Sequence, residues 1–408
     1  MSPVKPTVTL IGRRWAPEDH RVRDFLKRIA QPYEWVEAEE DTPDLPRLVE
    51  QDGTVIAPAT VEGLVAAWTM NPPPQQKAYD LAIVGAGPAG LAAAVYAASD
   101  GLNTLVLESD VPGGQTSHTS LIENFFGFPE GIGGAELARL AGRQAERFGA
   151  ELLVMRGVTG SRRGPDGPFT LEISGEHEID ARAVIAAPGM LWRRLEVDGV
   201  EDLLDRGVYY GAGRSEAAQC GGDEVVVVGA GNSAGQAVMH LANAGARVTM
   251  LARGDELGRS MSGYLVDRIA VHPHIDVRFR TEVAAAEAGD DGRLACVRTT
   301  DDGGSIPARA LFLCLGGLPR TGWAEEGGVR LDPAGFILTG PDLLDRGRRP
   351  DDWPLARDPL ALETSVPGLF AAGDVRHGSA KRVAGAVGDG AMATALVHRR
   401  LEELLVTG

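Results

Sequence analysis

The chain has 408 residues, of which 44% are hydrophobic and 24% charged, and its formal net charge is −17. This length is too great for one small hydrophobic core, so we expect two or three domains. The strong negative charge speaks against a nucleic-acid partner, which would favour a basic face, and against binding to an anionic membrane surface.

Cysteine is scarce in this sequence. The three cysteines are Cys220, Cys296 and Cys314, and no two of them have Cys-x-x-Cys spacing. They therefore do not form a disulfide framework. The first residues, MSPVKPTVTL, have no apolar signal-peptide core. We expect a cytoplasmic protein, and without an H-E-x-x-H motif or a paired Cys/His ligand set we expect no metal site.

The first 70 residues alternate between strand-like and helix-like patterns. Val8 to Ile11 predicts a strand, and YEWVEA (33–38) predicts a second. Between them, Val22, Phe25, Leu26 and Ile29 are spaced as one face of an amphipathic helix. The proline-rich stretch that follows, NPPPQQKA, indicates a semi-rigid linker, which we place at 73–78.

A glycine-rich turn follows the linker, in LAIVGAGPAGLAAAVYAASDGLNTLVLES. Gly85, Gly87 and Gly90 fit G-x-G-x-x-G after a strand and before a helix, and Glu108 ends the next strand. In such units the glycines admit a pyrophosphate to the helix N-terminus, and the acid accepts hydrogen bonds from a ribose. The sequence therefore predicts a dinucleotide-binding unit.

A second unit of the same kind is EVVVVGAGNSAGQAVMHLANAGARVTMLARGDELGRS. Gly229 and Gly231 repeat the turn, Asn232 and Ser233 continue it, and Arg253 follows the next strand in place of an acid. An arginine there suits a ribose 2′-phosphate, so we expect NADPH rather than NADH. Both uncharged runs, 81–99 and 225–246, fit a strand, turn and buried helix better than a membrane span.

The two glycine-turn units are followed by a third motif, LFAAGD near the C-terminus, and PGGQTSHTSLIENFFGFP lies between the two units. With these motifs in this order, the chain resembles the low-molecular-weight thioredoxin reductases over about residues 78–408. The resemblance implies FAD on the first unit and a pyridine nucleotide on the second, which is inserted within the FAD domain. It adds these FAD residues to the first turn: Gly113, Gly114, Gln115, Asn124, Gly373, Asp374, Arg382, Val383 and Ala384. The family has a glutamine where Val383 stands.

The dithiol of that family is missing. Its Cys-Ala-Thr-Cys aligns with Gly211 to Arg214, so the two cysteine positions are glycine and arginine. After the nucleotide strand the family has His-Arg-Arg, where this chain has Leu251-Ala252-Arg253. Only the last of the three positions keeps its arginine. In this family the nucleotide domain rotates about two short crossovers, and the chains form homodimers. The resemblance implies both here.

The front segment resembles a glutaredoxin or thioredoxin fold, also without its cysteines. Ala16 and Asp19 stand at the two cysteine positions, and Pro46 stands where that fold has a cis proline. Accordingly we expect an α/β protein with two Rossmann-like three-layer domains and a thioredoxin-like front domain. The expected boundaries are 1–72 (front domain), 73–78 (linker), 79–195 and 319–408 (FAD domain) and 196–318 (NAD(P)H domain).

Disulfide exchange needs an attacking thiolate and a resolving thiol. Neither dithiol position supplies them, so we expect an FAD-dependent NAD(P)H oxidoreductase whose flavin passes electrons directly to an acceptor such as ferredoxin, a quinone or oxygen. Two alternatives stay open. One is a flavin or nucleotide-state sensor or adaptor with little turnover, and the other is thioredoxin-disulfide reductase activity through Cys220 alone.

The catalytic residues are unknown from the sequence. Cys220 is one candidate, although a small buried apolar role fits it equally. His118 is another, although a hydrogen-bonded loop histidine is the simpler interpretation. Cys296 and Cys314 lie in strand-like runs and are predicted to be core residues.

Overall fold

The computed structural model describes residues 7–13, 16–39, 42–119, 121–164, 167–211, 220–259, 261–301 and 304–407. Helices and strands are numbered in chain order over these residues. The fold has three sheet systems, and the predicted strands and helices of the motifs all lie within them.

The front segment folds around a four-stranded mixed sheet of order β2-β1-β3-β4. Strands β1 and β2 are parallel, whereas β3 is antiparallel to both β1 and β4. Two helices complete the unit, and the predicted apolar face of the first, with Val22, Phe25 and Leu26, is buried. The Leu45-Pro46 peptide bond is cis. The elements are β1 (Val8–Gly12), α1 (Pro17–Arg28), β2 (Tyr33–Glu37), β3 (Arg47–Val49), β4 (Val55–Ile56) and α2 (Val61–Ala67).

A seven-stranded sheet forms the second system, in the order β7-β6-β5-β10-β9-β8, and β21 pairs with β10. Because β5, β6, β7, β10 and β21 are parallel, their carboxyl ends meet at one edge. The elements are β5 (Ala78–Val84), α3 (Pro88–Ser99), β6 (Thr104–Leu107), α4 (Gly134–Arg147), β7 (Glu151–Leu153), β8 (Val158–Arg163), β9 (Phe169–Ile173), β10 (His177–Ala186), β21 (Leu369–Ala371) and α8 (Val383–Thr407).

The third system is a five-stranded parallel sheet of order β12-β19-β13-β14-β15, with an antiparallel three-stranded sheet beside it. Valines 225–228 of β13 pack to both faces, which explains the uninterrupted apolar run. The elements are β12 (Val208–Tyr210), β13 (Glu224–Val228), α5 (Asn232–Asn243), β14 (Arg247–Ala252), α6 (Gly263–Val271), β15 (Ile275–Phe279), β16 (Val283–Ala288), β17 (Leu294–Thr299), β18 (Ser305–Pro307) and β19 (Ala310–Leu313).

Two short antiparallel strands connect the second and third systems. They are β11 (Met190–Trp192), where the chain leaves the seven-stranded sheet, and β20 (Gly317–Pro319), where it returns. A short helix, α7 (Gly322–Glu326), follows the return. The third system is thus an insertion between two parts of the second, held by a two-stranded connection.

The polar segment 341–359 is tied to the body through Arg357. Its guanidinium donates to the carboxylates of Glu363 and Glu403, and the Glu363 carboxylate is fully buried. This network joins the segment to the chain before β21 and to α8. None of the described helices is long and apolar enough to cross a bilayer.

Candidate active site

A cleft of about 340 Å³ lies at the carboxyl edge of the seven-stranded sheet, where it meets the inserted five-stranded sheet. It is lined by the first glycine turn, the 113–119 segment, the start of α8 and the start of α5. Predicted site residues in its wall are Gly87, Glu108, Gly113, Gly114, Gln115, His118, Asn124, Asn232, Ser233, Gly373, Asp374, Arg382 and Val383. The other predicted residues, Gly85, Gly90, Ala384, Gly229, Gly231, Arg253 and Cys220, lie outside that wall.

The first turn is shaped by close backbone contacts. Gly85 has φ +105°, and a Cβ added there would lie 2.3 Å from the Ala187 carbonyl oxygen. A Cβ on Gly90 would lie 1.9 Å from the Gly85 carbonyl oxygen. At Gly87, in contrast, an added Cβ would meet nothing within 4 Å. The turn therefore packs tightly against the sheet and is open at Gly87.

The second turn has the same construction. Gly229 has φ +138°, and its added Cβ would lie 2.5 Å from the Cys314 carbonyl oxygen, whereas Gly231 is open. In both units the first glycine packs on the residue that follows the neighbouring strand, Ala187 after β10 and Cys314 after β19. Asn232 opens α5, and its side-chain oxygen accepts the Ser262 backbone N–H at 2.8 Å.

Glu108 braces the first turn from the next strand. Its carboxylate accepts the backbone N–H of Ala86 at 2.7 Å and that of Asp110 at 3.0 Å. Burial raises the pKa of this carboxyl, while the two backbone N–H groups oppose that rise. The carboxylate therefore positions the turn, a role that the ribose prediction from sequence did not include.

Asp374 follows β21 and lies in the wall of the cleft. Burial raises the pKa of its carboxyl, and the nearby Lys381 ammonium and a 3.3 Å hydrogen bond from the Ser379 hydroxyl oppose the rise. Burial also lowers the pKa of Lys381. The two groups have opposite charges and influence each other electrostatically near the point where α8 begins.

His118 lies between two units of the protein. Its Nδ1 is 3.7 Å from a carboxylate oxygen of Asp24 on α1, and its ring makes an edge contact with Trp192 at 6.2 Å between centroids. It also lines the cleft. His118 is therefore both a cleft residue and an interface residue, so the two interpretations open from sequence are not exclusive.

The cleft residues that the sequence analysis missed include Arg28, Trp192 and Arg320. Arg28 ends α1 and pairs with Asp110, which is 82 residues away. Trp192 belongs to the short connection β11, and Arg320 follows the other connection, β20. No local motif marks them, because they reach the cleft only through the arrangement of the three sheet systems.

The cysteines are placed as follows. Cys220 is completely buried in the core of the five-stranded sheet, beside Val225 and Leu241. Cys314 lines the cleft, and burial raises the pKa of its thiol to about 12. Cys296 is only half-buried, and its sulfur lies 3.2 Å from a carboxylate oxygen of Glu287 on the paired strand. The prediction of a core role for Cys296 is therefore wrong, because its side chain lies at the surface of the small antiparallel sheet.

Gly211, which the resemblance aligns with the family's first cysteine, directly follows β12. Gly211 lies in the wall of the cleft with φ +78°, and an added Cβ would be 3.4 Å from the Trp192 ring. The second position, Arg214, lies outside the described residues. Among the described residues no group of three His, Cys, Asp or Glu side chains is arranged to hold a metal ion.

Comparison with known proteins matches residues 79–390 to the model of the family described as pyridine nucleotide-disulphide oxidoreductase. Thioredoxin reductase of Bacillus subtilis is 34% identical over 339 residues, which cover 82% of this chain and 98% of that protein. The chain belongs to the pyridine nucleotide-disulphide oxidoreductase family. It is a thioredoxin reductase-like, FAD-dependent NAD(P)H oxidoreductase, as the sequence predicted.

Solved structures of this family share the fold of the body. The T. acidophilum thioredoxin reductase is 29% identical with a TM-score of 0.69, over 79% of this chain and 99% of that one. The Lactococcus lactis thioredoxin reductase in its FR conformation is 31% identical with a TM-score of 0.69, over 80% of this chain and 99% of that one. The two parallel-sheet systems are therefore Rossmann-type dinucleotide-binding units, as predicted. The front segment lies outside the matched family range.

Proposed function

We propose that this oxidoreductase passes electrons from its flavin directly to an acceptor that is not a dithiol. The observation that carries the proposal is the composition of one cleft. The flavin-site residues and the nucleotide-turn residues Asn232 and Ser233 line it together, and Gly211 stands in its wall where the family has a cysteine. Both dinucleotide turns are present, but residue 211 is a glycine and so carries no thiol.

The residues present fit FAD. The open Gly87 turn leaves room for a pyrophosphate at the N-terminus of α3, and the buried Glu108 carboxylate is placed for the ribose. Asp374 would hold the ribitol hydroxyls, and Gln115, whose amide donates to the Met190 carbonyl at 3.0 Å, would lie at the ring. When bound, FAD accepts a hydride, two electrons and one proton, from the reduced nicotinamide and releases two electrons to a second substrate.

Neither Cys220 nor Cys314 is suited to replace the missing dithiol. Cys220 lies in the core of the inserted sheet, and the thiol of Cys314, with a pKa of about 12, is protonated at neutral pH. A protonated thiol is a poor nucleophile, and a single thiol has no resolving partner. These facts favour a direct acceptor, such as ferredoxin, a quinone or oxygen, over disulfide chemistry through Cys220.

Steady-state NADPH oxidation against a panel of acceptors tests this proposal. We expect turnover with at least one of quinone, ferredoxin or oxygen, none with thioredoxin disulfide, and unchanged rates in Cys220→Ser. Disulfide reduction that Cys220→Ser abolishes would show the single-thiol alternative to be correct. Reduction of the flavin without turnover on any acceptor would instead favour the sensor or adaptor.

For the nucleotide we propose NADPH, held by two arginines at the end of the inserted sheet. Arg253 follows β14 and Arg280 follows β15, and the two strands are paired with Ala252 beside Phe279. The Arg280 backbone N–H donates to the Gly254 carbonyl at 2.9 Å, so the two loops are in contact. Arg280 thus supplies a second cation near Ala252, the position at which the family has its other arginine.

Ion pairing at this edge supports the assignment. Arg278 pairs with Asp276, and Arg259 pairs with Glu256. Within the described part of the chain, Arg253 and Arg280 have no hydrogen-bonded or ion-paired side-chain partner. Two unpaired guanidinium groups on touching loops suit a 2′-phosphate dianion.

Replacing these arginines should change the nucleotide preference. We expect Arg253→Ala and Arg280→Ala each to raise KM for NADPH about tenfold, because a hydrogen bond to a charged group contributes about 1.5 kcal/mol. KM for NADH should stay within about twofold. Arg278→Ala, on the same edge but paired with Asp276, is the matched control. Equal losses with both nucleotides would contradict a 2′-phosphate contact.

We also propose that the front segment is a thioredoxin-like domain without its dithiol. Its β2-β1-β3-β4 order, the parallel β1 and β2 pair and the antiparallel β3 and β4 hairpin support this assignment. Asp19, at the second cysteine position, is buried and accepts the Arg13 backbone N–H at 2.6 Å. The domain boundaries expected from sequence and the homodimer remain part of this proposal.

A further inference from the structure

The front domain touches both other units of the protein through one helix, α1. The carboxyl-terminal half of α1 contacts the flavin-binding unit, and its amino-terminal half contacts the inserted nucleotide-binding unit. A segment that bridges two units can fix their relative orientation. The contacts on each side decide whether it does so here.

Toward the flavin-binding unit the contact is both apolar and ionic. Val111, which follows β6, is fully buried among the core residues of the front domain, which include Val22 and Leu26. Beside it the Arg28 guanidinium pairs with the Asp110 carboxylate, and its side chain is only 13% exposed. Buried apolar contact and a partly buried ion pair anchor the front domain to this unit.

Toward the nucleotide-binding unit the contact centres on Asp205, in the loop before β12. Its carboxylate oxygens lie 3.5 Å from His20 Nε2 and 3.4 Å from Arg21 Nε. The His20 ring also packs on Tyr209 of β12, with centroids 4.7 Å apart. His20 is 13% exposed and Asp205 28% exposed, so the His20 side of this contact is partly shielded from water, whereas Arg21 is 56% exposed.

A second set of contacts holds the nucleotide-binding unit on another side. Arg268 of α6 donates to both carboxylate oxygens of Glu123 at 2.9 and 3.1 Å. The Arg382 guanidinium at the start of α8 donates to the Ser262 hydroxyl at 3.3 Å. These two contacts lie beside the shared cleft, whereas the α1 contact lies on the β12 edge of the sheet.

We propose that the front domain is a fixed support that keeps the nucleotide-binding unit facing the flavin cleft, with Asp205 as its positioning residue. The orientation that it holds is the one in which Asn232 and Ser233 share the cleft with the flavin-site residues. An enzyme that must expose a dithiol in one step and bring the nucleotide to the flavin in another needs domain rotation. This inference rests on the proposed direct electron transfer. A chain without a dithiol needs only the orientation that brings the nucleotide to the flavin, and the front domain holds that orientation in place of domain rotation.

Cross-linking measures the proposed orientation without relying on activity. In a Cys296→Ser background, which leaves two buried cysteines, Glu18→Cys and Arg206→Cys would be joined by a short bismaleimide; both are exposed and flank the Asp205 contact, which stays intact. The matched control pairs Glu18→Cys with Asp276→Cys, on β15 at the opposite edge of the five-stranded sheet. We expect near-complete cross-linking of the first pair and less than about a tenth of that yield in the control, because five strands span roughly 19 Å.

Single-turnover flavin reduction by NADPH then shows whether the orientation that the front domain holds is the one that allows hydride transfer. We expect the cross-linked holoenzyme to keep the rate of the uncross-linked variant within about twofold. Equal cross-linking of both pairs would contradict the proposal that the front domain is a fixed support. A tenfold or larger loss of the flavin-reduction rate after cross-linking would contradict it as well. Failure of NADPH to reduce the flavin before cross-linking would instead refute the proposed function.

A charge exchange provides a second test. Asp205→Lys should raise amide hydrogen exchange across α1 at least about threefold, and Arg21→Glu in the same chain should restore protection. Asp202→Lys, three residues earlier and exposed, is the control and should leave exchange unchanged. Unchanged exchange in Asp205→Lys, or no restoration by Arg21→Glu, would contradict the positioning role.

Discussion

Gly87→Leu is expected to yield a folded protein that carries less than about one tenth of the FAD of the unchanged chain. An added Cβ at Gly87 meets nothing within 4 Å, and φ of −71° suits any L-residue, so the substitution should not disturb the fold. The new side chain would fill the space at the N-terminus of α3 that the pyrophosphate needs. Flavin content by absorbance and the circular dichroism spectrum measure the two parts of this expectation.

Gly322→Leu is the matched control for this substitution. Gly322 also begins a helix and also has nothing within 4 Å of an added Cβ, but it lies outside the cleft. It should bind FAD normally. A full complement of FAD in Gly87→Leu would show that the first turn does not hold the pyrophosphate.

Gly231→Leu should separate the nucleotide site from the flavin site. Gly231 occupies the equivalent position in the second turn, with φ of −92° and nothing within 4 Å of an added Cβ. The variant should keep its FAD, because the first turn is unchanged. Its flavin should be reduced by NADPH at least about a hundredfold more slowly, since the leucine fills the space for the nucleotide phosphates.

Dithionite distinguishes a blocked nucleotide site from a damaged flavin. It reduces the flavin without using the nucleotide turn, so Gly231→Leu should bleach with dithionite as the unchanged chain does. Stopped-flow absorbance under anaerobic conditions measures both reactions. Reduction by NADPH at an unchanged rate would mean that the nucleotide binds elsewhere.

Local patterns predicted the strand, turn and helix units well. The spacing of Val22, Phe25 and Leu26 predicted the buried face of α1, and the glycine turns predicted the junctions at Gly85 and Gly229. These features depend on residues close together in the chain, where periodicity and backbone sterics decide the structure.

Contacts between distant segments could not be predicted in the same way. Arg28 reaches the cleft across 82 residues, and Arg280 lies beside the Arg253 loop only because β14 and β15 pair. Cys296 was predicted to be core because its run alternates like a strand, but the pattern does not say which face of a small sheet is covered. The positions of these side chains follow from tertiary packing.

Electron counting in an anaerobic dithionite titration tests the central claim most directly. If electrons leave the flavin without passing through a pair of sulfurs, the enzyme should take up about two electrons per FAD, that is, one equivalent of dithionite. A flavin coupled to a redox-active dithiol takes up about four, because the disulfide accepts a second pair. Uptake of two electrons is the result predicted here, and uptake of four would contradict the account.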